Sequence, residues 1–273
     1  MDTQQFYLQL QNDAEMIATK AMDILVSMQG KETVAVQKDE MDLSTSADIA
    51  AEKCVIDFVK EKYPTHGIYS EEIGEIKGTE PYRWVIDPLD QTKEYSRGLS
   101  EYNCLIAIEY NSEPIVGVSL QHGIDTTYTG SKGNGSYCND KKMHVSDQSI
   151  LANTFIGFNL PNRKNDPIDI EKDLSILSTC IPLVYRVRPF WDQAKVMGWV
   201  ARGLLDGNIA PPHVFKWYDV ASSIIVVKEA GGTITDWHGN PVTEQTFTNG
   251  IVASNGIIHT QLLDLIQKAI NGN

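Results

Sequence analysis

The sequence has few cysteines and no long apolar run, and these absences argue against several classes of protein. No C-x-x-C pair occurs among the four cysteines, which are Cys54, Cys104, Cys138 and Cys180. Zinc or redox sites are therefore not indicated, and we expect small, reduced core residues. The polar start, residues 1–5, lacks the pattern of a signal peptide, and no run is long enough to span a bilayer. We expect a cytoplasmic protein with no membrane partner.

Positive charge is also scarce. The 273 residues include 23 Lys and Arg against 36 Asp and Glu, so the formal net charge is −13. Nucleic-acid binding relies on clustered basic residues that neutralise phosphates, so we expect no nucleic-acid partner. A small phosphorylated substrate is not excluded, because bound cations can reverse the local field.

The first part of the chain predicts helices followed by sheet. Apolar residues recur at three-and-four spacing over residues 3–29, which predicts a helix ended by Gly30. Residues 44–46 offer N-caps for a second helix, and residues 68–69 read as a short strand. Strands at 105–109 and 115–120 flank a turn, which predicts a hairpin. The glycine-rich residues 130–135 lack the ending of a phosphate loop, so a second hairpin turn is the better interpretation.

The second part alternates helices and strands. Residues 162–169 are polar and predict a linker between an N-terminal half, 1–160, and a C-terminal half, 161–273, packed as one unit. The helices predicted beyond it span 172–179, 191–205, 219–230 and 257–271. The predicted strands span 183–188, 207–210, 233–236 and 250–254. This alternation favours a layered α/β architecture.

The stretch Trp84–Thr92 is the centre of the functional interpretation. Three apolar residues predict a buried strand, which we expect to stop at Pro88 because proline has no N–H to donate. Asp87 and Asp90 then lie close together. Neighbouring carboxylates repel each other unless a cation neutralises them, so the pair predicts a hard-cation site. The simpler alternative is a solvated Asp-Pro turn.

Further acids have simple interpretations when taken alone. Glu71 belongs to an acidic pair, Asp48 complements a helix dipole, and Asp219 suits a helix N-cap. Gathered with Asp87 and Asp90, such carboxylates suit two or more Mg²⁺ ions. Phosphoryl transfer is the chemistry that uses paired metals of this kind.

The residues after Asp90 add a second feature. If Gln91-Thr92-Lys93 begins a helix, its first N–H groups face an incoming phosphate. The Thr92 hydroxyl is then placed to orient an attacking water beside Glu71. A first-turn position predicts a negative φ for Gln91, which glutamine adopts without strain.

These segments resemble a known family. The signature that resembles the inositol monophosphatase superfamily consists of Ser70-Glu71-Glu72, Asp87-Pro88-Leu89-Asp90-x-Thr92 and Tyr218-Asp219-Val220-Ala221. Residues 132–139, 229–236 and 251–255 are also similar to it. The resemblance covers nearly the whole chain in the same order.

The resemblance implies a layered αβαβα sugar-phosphatase fold and lithium-inhibited hydrolysis of a small phosphate monoester with two or three Mg²⁺ ions. It also implies a homodimer. The implied metal ligands are Glu71, Asp87, the Leu89 carbonyl, Asp90 and Asp219. Glu71 and Thr92 are expected to position the water, and Asp48 to orient Thr92. The expected substrate contacts are Asp90, Gln91, Thr92 and Asp192.

The branch within the superfamily stays open. An inositol monophosphatase-like activity is favoured by residues 130–146 and 228–255. Residues 47–51 resemble 3′(2′),5′-bisphosphate nucleotidases, and Tyr218 before Asp219 is similar to histidinol-phosphate phosphatases. Gln91 replaces the usual glycine, and residues 190–194 replace the usual small residues. A catalytically weak ligand-binding homologue is therefore the alternative of another class.

Overall fold

The structure, a computed structural model, describes residues 3–31, 33–37, 43–161, 166–212 and 214–271. Its helices are α1 (Thr3–Met28), α2 (Ser46–Lys62), α3 (Thr92–Ser96), α4 (Pro167–Cys180), α5 (Gln193–Ala201), α6 (Trp217–Glu229) and α7 (His259–Asn271). Within the described ranges, every helix is too short or too polar to cross a bilayer.

The strands form two large sheets and a small ribbon. The ribbon pairs β1 (Val34–Gln37) with β2 (Leu43–Thr45). The first large sheet contains β3 (Gly67–Ser70), β4 (Gly74–Ile76), β5 (Tyr82–Asp90), β6 (Asn103–Tyr110), β7 (Glu113–Gln121), β8 (Thr126–Ser131), β9 (Gly135–Cys138) and β10 (Lys141–Lys142). The second contains β11 (Phe155–Asn159), β12 (Arg186–Phe190), β13 (Gly207–Ala210), β14 (Thr233–Thr235) and β15 (Ile251–Ser254).

The eight strands of the first sheet follow the order β10-β9-β8-β7-β6-β5-β3-β4, and the five of the second follow β12-β11-β13-β15-β14. Both predicted hairpins are confirmed as β6–β7 and β8–β9. Asn111 and Ser112, between β6 and β7, both have positive φ. Such a two-residue turn matches the twist of antiparallel strands.

The described residues form three hydrophobic cores between five layers, and the second core lies on both sides of the middle layer. The first core joins α1 and α2 to one face of the eight-stranded sheet, for example through Leu10 and Val55. The second joins the opposite face to α5 and α6 through Trp217 and Val196. The third joins the five-stranded sheet to α4 and α7. The predicted αβαβα layering is therefore confirmed. The four cysteines are free, as expected.

Several predicted boundaries in the second part are wrong. Residues 162–165 of the predicted linker lie outside the described residues, but Asp166 is the N-cap of α4, with Pro167 at the first helical turn. The strand predicted at 183–188 begins only at Arg186, and α5 is shorter than expected. Strand β11 was not predicted, and it lies between β12 and β13. The division into two halves at residue 160 stays a prediction.

Two glycines bring α6 into contact with the first sheet. A Cβ on Gly117 of β7 would lie 2.0 Å from the Ser222 carbonyl oxygen, and one on Gly130 of β8 would lie 2.9 Å from the Val226 Cα. A side chain at either position would push the helix outward. Because Asp219 lies on α6, these glycines also set where that carboxylate stands relative to β5.

We expect Gly117→Ala to destabilise the protein by roughly 2 kcal/mol or more, because the added methyl group meets a helix backbone that cannot move without repacking the core. The midpoint of urea unfolding measures the change. The control is Ser119→Ala on the same strand, whose buried hydroxyl has no hydrogen-bond partner. Its removal should cost less than about 1 kcal/mol. Equal midpoints for Gly117→Ala and wild type would contradict this packing.

Candidate functional site

A cleft of about 690 Å³ brings most of the predicted site residues together. The predicted residues that line it are Glu71, Asp87, Leu89, Asp90, Gln91, Thr92 and Asp219. They come from the end of β5, the start of α3, the first turn of α6 and the segment after β3. Asp48 and Asp192 are buried and are not among the lining residues.

A β-bulge sets the direction of the two central carboxylates. Strand β5 does not stop at Pro88, as we predicted, but continues to Asp90. Asp87 pairs with Leu105 and Asp90 pairs with Asn103. Two residues of β5, Pro88 and Leu89, therefore lie opposite the single residue Cys104 of β6. Residues three apart on a regular strand face opposite sides, but the extra residue turns both carboxylates to the same side. Pro88 lies within the bulge, where a missing N–H interrupts no regular ladder.

Burial and mutual repulsion raise the pKa values of these acids. Asp87 is only 2% exposed, and its burial raises its pKa well above the ordinary value. The negative charges of Glu71, Asp90 and Asp219 raise this pKa further. Burial likewise raises the pKa of Asp219 to about 7, and the charge of Glu71 adds to it. Asp219 lies at the third position of α6, not at the N-cap as its alternative interpretation had it, and accepts a 2.7 Å hydrogen bond from the Lys216 N–H.

The donor chemistry of the cleft fits Mg²⁺. Four carboxylates and a backbone carbonyl offer oxygen ligands, and the described lining residues include no thiol or imidazole that would favour a softer metal. In the described part of the chain, no three acidic, histidine or cysteine side chains are arranged to hold one ion between them. Protein donors occupy several of these oxygens instead, as at Asp90, which accepts from Gln91 and Asn103. Each carboxylate oxygen has a second lone pair, so these hydrogen bonds still leave positions for a cation.

Asp48 and Thr92 are joined by a hydrogen bond. The Thr92 Oγ1 lies 3.0 Å from Asp48 Oδ1 and 3.0 Å from the Leu89 carbonyl. The other Asp48 oxygen accepts from the Thr45 N–H at 2.8 Å, which completes the capping box of α2. The same carboxylate thus caps a helix and orients Thr92. Burial raises its pKa.

Glu52 supports the segment that carries Glu71, and sequence analysis missed it. Its Oε1 accepts from the Ser70 hydroxyl, from the Glu72 N–H at 2.9 Å and from the Ile73 N–H at 3.3 Å. The Glu71 N–H donates to the Ile86 carbonyl at 3.2 Å. Glu52 follows Asp48 by four residues on α2, so the helical period was the signal that would have found it.

The backbone at Gln91 corrects another expectation. Gln91 has φ 75 and ψ 41 and is the N-cap of α3, so its φ is positive instead of negative. This left-handed conformation is one that glycine adopts without strain. The side chain turns back, and its Nε2 donates to Asp90 Oδ1 at 3.3 Å.

We expect Gln91→Gly to stabilise the protein. Glycine relieves roughly 1–2 kcal/mol of backbone strain in the folded protein. Its greater freedom in the unfolded chain offsets about 0.5–1 kcal/mol of this gain. The net gain should raise Tm by roughly 2–4 °C. Because the amide contacts Asp90, the KM or the substrate preference should also change.

The control for this prediction is Asn111→Gly, which replaces another residue of positive φ in the β6–β7 turn. It should raise Tm slightly and leave kinetics unchanged. A Gln91→Gly protein that is less stable than wild type would show that the side chain stabilises the turn more than its backbone strains it.

Asp192 lies behind the cleft. It is the N-cap of α5, accepts from the Lys195 N–H at 2.9 Å, and has a pKa raised to about 6 by burial. Its expected contact with the substrate stays a prediction. Its neighbour Trp191 does line the cleft and is 58% exposed. Other lining residues that the sequence did not indicate as site residues are Lys93, Glu94, Asn159, Leu160, Asp166, Asp169, Phe190, Val214, Phe215, Lys216 and Tyr218.

Comparisons with known proteins agree with this geometry. The profile described as "Inositol monophosphatase family" matches residues 6–271. A fructose-1,6-bisphosphatase/inositol-1-monophosphatase of Aquifex aeolicus is 30% identical over 85% of this chain and 84% of its own. A histidinol-phosphatase of Streptomyces coelicolor is 30% identical over 93% of this chain and 92% of its own.

The fold has solved counterparts as well. The extragenic suppressor protein suhB of Bartonella henselae superimposes with a TM-score of 0.86 at 28% identity, over 95% of this chain and 99% of its own. The family resemblance, the fold and the prediction of a phosphatase are thereby confirmed, and metal dependence is general in this family. The chain belongs to the inositol monophosphatase family.

Proposed function

We propose that the protein is an Mg²⁺-dependent phosphatase that hydrolyses a small phosphate monoester. The observation that supports this most is the gathering of four carboxylates, with pKa values of Asp87, Asp90 and Asp219 raised by burial, in one cleft. Such a cluster is stable in its charged form only beside cations. Mg²⁺ held by these residues would supply a nucleophilic water of lowered pKa and would neutralise charge on the leaving oxygen.

The residues of this chain have distinct roles in the proposal. Glu71, Asp87, Asp90 and Asp219, with the Leu89 carbonyl, would hold the metal. The Thr92 hydroxyl donates a hydrogen bond to Asp48 Oδ1, 3.0 Å away, so a lone pair of its oxygen can accept a hydrogen bond from the attacking water. Glu71 accepts the second proton of that water. The water's free electron pair then points at the phosphorus.

The charges that line the cleft favour a substrate with one phosphate. Among the described lining residues, the cationic ones are Lys93 and Lys216. The lining also includes the carboxylates of Asp166 and Asp169, which would repel a second phosphate placed beside them. We therefore propose an inositol- or sugar-type monophosphate as the substrate class. A 3′(2′),5′-bisphosphate nucleotide is the less favoured candidate.

A phosphorylated amino alcohol is the second candidate. Asp166 and Asp169 lie on the same cleft as Trp191, whose exposed ring suits a cation. The relative from Streptomyces coelicolor that spans most of the chain is a histidinol-phosphatase. A cationic group on the substrate would complement this acidic part of the cleft.

A panel of phosphate esters tests the proposal. It contains inositol 1-phosphate, fructose 1,6-bisphosphate, histidinol phosphate and adenosine 3′,5′-bisphosphate, each with Mg²⁺ and with EDTA. We expect phosphate release only with Mg²⁺, and a higher kcat/KM for the monophosphates than for adenosine 3′,5′-bisphosphate. The reverse ranking would assign the protein to the nucleotidases. No release from any ester would leave the weak ligand-binding homologue as the better description.

Other properties implied by the resemblance stay predictions. They are the number of Mg²⁺ ions, inhibition by lithium and the homodimer. The cytoplasmic location, expected from the N-terminal sequence, also stays a prediction. Inhibition by Li⁺ is expected to be uncompetitive or noncompetitive with substrate, because Li⁺ would replace a metal after turnover.

A further inference from the structure

Asn103 connects the half-buried carboxylate of Asp90 to the buried carboxylate of Asp192, which comes from a different layer. It is the first residue of β6, pairs with Asp90 in the sheet and is 1% exposed. Its Nδ2 donates to Asp90 Oδ2 at 2.7 Å and to Asp192 Oδ1 at 3.1 Å. Its Oδ1 has no hydrogen-bond partner. The amide is therefore held by its two N–H groups, one on each carboxylate.

This arrangement limits the rotation of the Asp90 carboxylate. The Oδ1 of Asp90 accepts from the Gln91 Nε2 at 3.3 Å, a longer contact than the one from Asn103. Asp192 stands at the start of α5 and is also bonded to the Lys195 N–H. The carboxylates of Asp90 and Asp192 share one donor nitrogen and therefore lie close enough to repel each other, and the neutral amide between them attracts both. Without that donor, Asp90 would turn away from Asp192.

We propose that Asn103 is a positioning residue that fixes the Asp90 carboxylate for metal binding and locks it to the N-terminus of α5. This role rests on the proposed function, because it takes Asp90 as a ligand of Mg²⁺. Residues that orient a metal ligand through a hydrogen bond typically contribute 10–100-fold to metal affinity or activity. The same bond couples the cleft wall at Trp191, next to Asp192, to the metal-binding strand.

A purely structural role predicts a different result. In that case the amide only joins a strand to a helix, so its loss lowers stability without changing the metal affinity of the folded protein. Gln121 provides a matched control, because it pairs with Asn103 across β6 and β7, is buried and has no partner for its amide atoms. It is a similar buried amide on the same sheet that contacts neither carboxylate.

Titration calorimetry of wild type, Asn103→Leu and Gln121→Met with Mg²⁺ tests the role, with urea unfolding to correct for the folded fraction. We expect Asn103→Leu to bind Mg²⁺ roughly 10–100-fold more weakly and Gln121→Met to bind it as wild type does. Asn103→Thr keeps one donor, so its affinity should be intermediate, and it serves if Asn103→Leu does not fold.

The possible failures are distinguishable. If wild type binds Mg²⁺ and the Asn103 variants bind it equally well, only the positioning role is overturned. If Gln121→Met weakens binding as much as Asn103→Leu, the effect is general to the sheet and the role is also overturned. Wild-type protein that binds no Mg²⁺ overturns the proposed function together with this inference.

Discussion

Replacing Asp90 with asparagine should lower kcat at least about a hundredfold, because it removes a charged ligand of the catalytic metal while preserving the shape of the side chain. The amide oxygen of the new residue can still accept the hydrogen bond that Asn103 donates at 2.7 Å. The variant should therefore fold as wild type does. Losing the negative charge also relieves its repulsion with Asp192 and Asp219 in the metal-free protein.

The matched control is Asp173→Asn on α4. Asp173 is another buried aspartate, with a pKa raised to about 7 by burial, and it does not line the cleft. Its neutral replacement should leave kcat unchanged. Steady-state phosphate release, measured with Mg²⁺ and after EDTA treatment, gives the comparison. Full wild-type activity in EDTA, or an Asp90→Asn enzyme of normal kcat, would be incompatible with the metal mechanism.

Local signals explain why the layers and the central acids were predictable. The helical spacing of α1 and the turn between β6 and β7 each depend on residues that are close together in the chain, so both can be read directly from the sequence. The Asp87 and Asp90 pair is likewise a local motif. The start of α4 was missed although its signal is also local, because Asp166 before Pro167 is an N-cap followed by a proline in the first turn.

Other features depend on partners that are far apart in the chain. The bulge in β5 exists only in register with β6, which begins thirteen residues after Asp90, at Asn103. The Asn103 contact with Asp192 joins residues 89 positions apart. No pattern in either segment shows such contacts, because they arise when the two sheets pack against α5. The positive φ of Gln91 follows from the turn between β5 and α3, and glutamine gives no sign of it.

Acid should stabilise the metal-free protein at this cluster, whereas acid usually destabilises proteins whose carboxylates are paired in the folded state. Burial raises the pKa values of Asp87, Asp90 and Asp219 above the ordinary value of 3.8, in the last case to about 7. Between about pH 4 and pH 7 the folded protein therefore binds more protons than the unfolded chain. The free energy of unfolding falls as the pH rises through this window. In EDTA, Tm should be lower at pH 8 than at pH 5.5.

Mg²⁺ should remove much of this loss, because it binds the deprotonated carboxylates of the folded protein and competes with protons. A concentration of about 100 Kd stabilises by about 2.7 kcal/mol, which corresponds to a rise in Tm of roughly 5–10 °C. The rise should be largest at pH 8 and small at pH 5.5, as measured by thermal scans at both values. Comparing scans with and without Mg²⁺ at each pH cancels the contribution of buried acids outside the cleft, such as Asp173. A rise of equal size at the two pH values would mean that Mg²⁺ binds where no proton is displaced, away from Asp87, Asp90 and Asp219.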